Sequence, residues 1–140
     1  MKQTDKKGEK NKIGALGEQI AVNYVEKMGF KVLQLNYLKK WGEIDVVARE
    51  TKGNKEIVHF IEVKTVSYET KHDLDKAVSH GTWRPEENVH FKKIQRLNRV
   101  IESWLSEHSA NSEWVIDIAA IRVVPREKYA SIKYISNIIL

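Results

Sequence analysis

Cysteine is absent from the 140 residues, which excludes a disulfide framework, a thiolate zinc site and a thiol nucleophile. Long hydrophobic runs are absent as well. The longest, Trp114 to Val124, is interrupted by Asp117 and is too short to span a bilayer. Residues 1–12, MKQTDKKGEKNK, contain no apolar stretch, so no secretory signal is expected there. There is no internal repeat. Together these absences point to a soluble, cytoplasmic protein.

What is present fits one domain. The chain is 41% hydrophobic and 31% charged, enough apolar content for a core and too much for a disordered polyelectrolyte. Lys and Arg number 24 against 19 Asp and Glu, a net charge of +5. That excess attracts polyanions without choosing between nucleic acid and an anionic membrane.

Residues 1–12 read as a basic, flexible tail, and 13–140 as the folded domain. From Ile13, Leu16, Ile20, Tyr24, Val25 and Met28 recur at helical spacing, with Gly29 as C-cap, predicting a helix over 13–28. Phe30–Leu38, Glu43–Glu50 and Glu56–Val66 read as strands. The last two are joined by Lys52-Gly53-Asn54-Lys55, a hairpin signal of type II′. Residues 67–88 have no sustained period beyond a helical turn around 73–79. A second helix is predicted over 89–108, N-capped by Asn88, with Ile94, Leu97, Ile101, Trp104 and Leu105 on its apolar face. Trp114–Val124 reads as a strand covered on both faces, ended by Pro125, and Ser131–Leu140 as an edge strand. The order α-β-β-β-α-β-β describes one mixed α/β sheet flanked by helices, its third and fourth strands made parallel by the crossover helix.

The hairpin decides where charge falls. Alternate strand residues share a face, so Glu43, Asp45 and Val47 are expected on one side of strand two, and Val58, Phe60, Glu62 and Lys64 on one side of strand three. With Gly53-Asn54 at the turn, opposed residues have numbers summing to 107: Asp45 faces Glu62, and Glu43 faces Lys64. Opposed like charges destabilise a sheet. Three arrangements relieve them: a proton on one carboxylate, displacement of both into solvent, or a cation between them. Mg²⁺ or Mn²⁺ suits the third, and Lys64 on the same face could then stabilise charge on a phosphoryl group. A surface ion pair between Glu43 and Lys64 is the plainer alternative. Glu18 borders the apolar face of the first helix beside Gly14, Ala21 and Val25, small enough to let this edge approach the sheet. A third acid there would add to the set, though an ordinary boundary glutamate has the same spacing.

Gly17-Glu18 with Ala21, Gly42-Glu43-Ile44-Asp45 and Glu62-Val63-Lys64 resemble the YraN-like family of predicted endonucleases, over about residues 13–140. That family is a branch of the PD-(D/E)XK, or restriction-endonuclease-like, superfamily and is similar to archaeal Holliday junction resolvases. The resemblance implies a restriction-endonuclease-like domain, metal-ligand roles for Asp45 and Glu62, a catalytic role for Lys64 and an auxiliary acidic role for Glu18. It also implies DNA as substrate, branched structures included, and a homodimer such as resolvases form. Lys93 matches a lysine recurring in the family. Where the family commonly has Arg-Phe-Asp, this chain has Val115-Ile116-Asp117.

Lys92, Arg96 and Arg99 fall at i, i+4 and i+7 of the second helix, with Lys93 beside them. This stripe could track a phosphate backbone or be a solvated face. Tyr68, Trp83 and Arg84 in the long loop are candidates for stacking on exposed bases. Histidines 59, 72, 80, 90 and 108 have no zinc-like spacing and read as mostly solvated. Asp117 reads as a buried carboxylate satisfied by hydrogen bonds. The expectation is thus a metal-dependent DNA endonuclease, against a non-catalytic DNA-binding or scaffolding module on the same fold. A two-carboxylate glycosidase leaves Lys64 and the basic helix without a purpose.

Overall fold

The computed structural model describes the backbone of residues 2–81 and 91–138, and the side chains of 8, 11–81 and 95–138. The element order is α1 (Lys2–Lys27), β1 (Lys31–Lys39), β2 (Gly42–Lys52), β3 (Lys55–Ser67), α2 (Lys71–His80), α3 (Phe91–Glu107), β4 (Glu113–Val124) and β5 (Tyr129–Ile135). The five strands form one mixed sheet in the order β1-β2-β3-β4-β5. Only β3 and β4 are parallel, and β5 is an edge, as expected. No helix among the described residues is long and apolar enough to cross a membrane.

The β2–β3 hairpin keeps the expected register from Lys52↔Lys55 to Val46↔Ile61. Of its two central residues only Gly53 has a positive φ, +58°, as a type II′ turn requires. Several boundaries differ from the reading of the sequence, among them β5, which runs Tyr129–Ile135 where a strand over 131–140 was expected. Helix α1 begins at Lys2, within the segment read as a tail, and ends where Gly29 (φ +94°) lets the Phe30 amide donate to the Val25 carbonyl at 3.0 Å. The turn around 73–79 is a full helix, α2, whose Thr70 hydroxyl accepts from the Asp73 amide at 3.1 Å. It has little apolar period because Leu74 is its one buried residue.

Two cores sandwich the sheet. On one face Ala21, Val22 and Val25 of α1 pack on Val46, Ala48, Ile61, Ala119, Ile121 and Val123. On the other, Leu97, Val100, Ile101 and Trp104 of α3 pack on Tyr37, Ile44, Val47, Val58 and Phe60. Each fully buried Val or Ile contributes about 1.5–3 kcal/mol. The buried stripe of α1 is not the expected one. Leu16 and Met28 are each 41% exposed, and the small residues Gly17 and Ala21 are turned inward. Small side chains let the helix axis approach the strands, which the larger Leu16 and Met28 would prevent.

Candidate metal centre

The side-chain alternation of β2 slips at Asp45. Ile44 and Val47 lie under α3, whereas Val46 and Ala48 lie under α1. Across the β1–β2 ladder, pairing runs Leu35↔Val46 and Tyr37↔Ile44 and skips the step between, while the ladder's register shift falls earlier, between Val32 and Gln34. The skipped step belongs to Asn36, whose φ is +50°. Val47 therefore faces away from the acids, contrary to the expected common face.

The slip lets Glu43 and Asp45 turn together toward Glu18 of α1. Carboxylate oxygens of Glu18, Glu43 and Asp45 all lie within 4.8 Å of one another. With its amide oriented to suit these acceptors, Asn36 donates to Glu43 Oε1 at 3.0 Å and to Glu18 Oε1 at 3.2 Å. The β2–β3 ladder ends at Val46↔Ile61, and the next amide of β3, Val63 N–H, donates instead to Asp45 Oδ2 at 2.8 Å. Asp45 thus satisfies a backbone donor that the parting strands would otherwise leave unpaired, and the parting opens space for a ligand.

The electrostatics follow. Burial pushes the Asp45 carboxyl up to about 6 from 3.8, the Val63 amide opposes the rise, and Glu18, Glu62 and Glu43 add to it. The Glu18 carboxyl is also raised, by burial foremost and by Glu43, against the hydrogen bond from Asn36. Three acids so close need either a proton or a cation. Oxygen-only donors at this spacing fit a hard divalent ion such as Mg²⁺ or Mn²⁺.

Glu62 and Lys64 stand beside this cluster. Lys64 Nζ meets Glu62 Oε1, two residues back on the same strand, at 3.2 Å. Glu62 is not one of the three clustered acids, but its charge reaches Asp45. Glu43 is the site residue that reading the sequence missed. Its i, i+2 relation to Asp45 was the available signal, and its assignment to Lys64 hid it.

A cleft of about 470 Å³ adjoins the cluster, lined by Lys40, Trp41, Glu43, Glu62 and Arg96 among others. Arg96 and Arg99 are exposed on α3, and the Arg99 guanidinium stacks on Trp41 at 4.4 Å. Lys92 and Lys93 belong to α3, but their side chains lie outside the described residues, as do Trp83 and Arg84. Tyr68 is partly buried, and its amide donates to the Val123 carbonyl at 2.8 Å.

Asp117 is fully buried and hydrogen-bonded, as expected. His59 is also buried, at 5% exposure, contrary to its reading as solvated. Its partners lie on other strands and leave no trace in local spacing.

A family model described as "Uncharacterised protein family UPF0102" matches residues 17–121, a span holding Glu18, Glu43, Asp45, Glu62 and Lys64. The chain is similar to a UPF0102 protein of Alkaliphilus oremlandii (strain OhILAs), with 36% identity over 127 residues covering 90% of this chain and 96% of the relative. It is similar to one of Mycolicibacterium gilvum (strain PYR-GCK), 35% identical over 112 residues, 79% of this chain and 80% of the relative. A third, from Campylobacter jejuni, is 32% identical over 111 residues, 78% and 82% of the two chains.

Proposed function

The chain belongs to the uncharacterised protein family UPF0102, and from that premise we propose that it is a metal-dependent endonuclease of the PD-(D/E)XK type. Its substrate is DNA, branched structures included. The observation that carries this reading is the convergence of Glu18, Glu43 and Asp45 where β2 and β3 part.

Asp45, with Glu18 and Glu43, would hold Mg²⁺ or Mn²⁺. The ion supplies charge neutralisation at the phosphate and Lewis-acid activation of water. Lys64 places its ammonium beside the cluster, where negative charge grows as water oxygen bonds to phosphorus and the ester P–O bond breaks. Glu62 holds Lys64 in place and adds negative charge at the rim. Arg96 and Arg99, with Lys92 and Lys93 earlier on the helix, neutralise backbone phosphates. A homodimer and a cytoplasmic location belong to the same proposal.

The test uses labelled linear, single-stranded, flap and four-way-junction DNAs with Mn²⁺, scoring bound and cleaved species together. Wild type is expected to cleave. Asp45→Asn and Lys64→Met should lose roughly 100-fold or more of that activity while still binding. Binding by wild type without cleavage of any substrate would overturn the nuclease in favour of a non-catalytic DNA-binding module.

A further inference from the structure

A second group of titratable side chains lies further along the hairpin, toward its turn. It joins Glu50 of β2, His59 of β3, Asp117 of β4 and Tyr134 of β5. His59 is 5% exposed, and the Phe30 ring stacks on it with centroids 4.4 Å apart. Its Nδ1 lies 2.5 Å from Asp117 Oδ2. Asp117, with no exposed surface, also accepts from the Tyr134 hydroxyl and, at 2.8 Å, from the Asn137 amide. With these two donors already on Asp117, Nδ1 is the ring nitrogen that donates to it. Burial and the hydrogen bond to Asp117 hold the Tyr134 hydroxyl's pKa well above the ordinary tyrosine value, which keeps it a donor.

The other ring nitrogen is what needs explaining. His59 Nε2 is buried and forms no hydrogen bond. It faces Glu50 Oε2 at 3.4 Å, while Lys52 Nζ takes the other oxygen, Oε1, at 3.5 Å. With Nδ1 protonated, a neutral ring sets its lone pair against a carboxylate. A second proton would draw the pair together, because charge-assisted N–H···O contacts close to about 2.7–2.9 Å. A metal ion holds the two atoms apart. Bonds of about 2.0–2.1 Å to nitrogen and oxygen at a tetrahedral angle separate the donors by about 3.4 Å. A carboxylate on the far ring nitrogen is also how metal-binding histidines are oriented and made more basic. A cavity of about 300 Å³, lined by Glu50, His59, Ser136 and Asn137 among others, adjoins these residues and has room for water ligands.

We propose that His59 Nε2 and Glu50 Oε2 bind a transition metal ion, Zn²⁺ foremost, with cavity water completing its coordination. The imidazole distinguishes this site from the all-oxygen cluster, since nitrogen donors favour Zn²⁺ over Mg²⁺. Glu50 stands five residues along β2 from Asp45, roughly 17 Å of strand, so the two ions share no ligand. Asp117 acts as a positioning residue, holding the ring tautomer that leaves Nε2 free for the metal.

The full chain is titrated with Zn²⁺, and with Co²⁺ as a visible-absorption probe, in excess Mg²⁺ to occupy the acidic cluster. One Zn²⁺ equivalent is expected. Glu50→Gln and His59→Gln should each weaken it at least about tenfold, and Asp117→Asn roughly 10–100-fold. Glu50 is only partly buried, so its variant keeps the test decisive if the His59 variant does not fold. Absence of Zn²⁺ binding, or binding unchanged in Glu50→Gln, overturns the site. So does a ¹⁵N spectrum in which Nε2 is protonated and unmoved by Zn²⁺. None of these measurements depends on DNA cleavage.

Discussion

Gly17 of α1 lies against Thr65 of β3 so closely that a Cβ on the glycine would fall 1.8 Å from Thr65 Oγ1 and 2.8 Å from Thr65 Cβ. The hydroxyl could rotate away, but Cβ is fixed to the strand. Gly17→Ala therefore lifts α1 from the sheet, at about 1–3 kcal/mol for overpacking, and draws Glu18 away from Glu43 and Asp45. Urea denaturation should show the lost stability, and Mn²⁺ should stabilise the variant less than wild type. Adding Thr65→Ala should restore part of both, since the Cβ contact remains. A Gly17→Ala protein as stable as wild type would show that the helix does not need this approach.

Asp45 makes the fold pH-sensitive. Its carboxyl, raised to about 6 in the folded chain from 3.8, binds a proton more tightly folded than unfolded. Its ionisation consequently costs stability progressively as pH rises from about 4 to 6. Above that the penalty is full, on the order of 3 kcal/mol. Asp45→Asn should raise the melting temperature by several degrees at pH 7.5 without metal and change it little at pH 4. Mn²⁺ should stabilise wild type at pH 7.5, lose that effect as pH falls through 6, and do nothing for the variant. A variant no more stable than wild type at pH 7.5 would mean that the three acids do not burden the apo fold.

Much of this arrangement was legible in the chain. Gly53-Asn54 fixed a register that holds to Val46↔Ile61, and the small neighbours of Glu18 announced that its helix edge meets the sheet. What local spacing could not show was the slip at Asp45. It depends on Asn36 adopting φ +50° across a strand pair whose register no hairpin motif specifies. That slip moves Val47 to the α3 side, away from Glu43 and Asp45, which strict alternation had placed on its face. His59 was misread for a related reason. Its burial comes from Phe30, Asp117 and Glu50, which only the assembled sheet brings together.

Arg96 tests where nucleic acid lies. It is exposed on the wall of the cleft that also holds Glu43 and Glu62, whereas Arg99 is committed in part to the face of Trp41. A backbone phosphate crossing this cleft on its way to the acids would be neutralised by Arg96, releasing a condensed counterion. Losing one such contact changes the slope of log K against log salt by about 0.9 on duplex DNA. Arg96→Ala, in an Asp45→Asn background that prevents cleavage, should flatten the slope by that amount and weaken binding across sequences alike. The exposed neighbour Asn98 carries no charge, so Asn98→Ala should leave the slope unchanged. Fluorescence anisotropy over a KCl series measures both. An unaltered slope in Arg96→Ala would place the phosphate path off the α3 wall, and the acids would then have to be approached from the α1 side, along the groove lined by Gly14, Glu18 and Thr65.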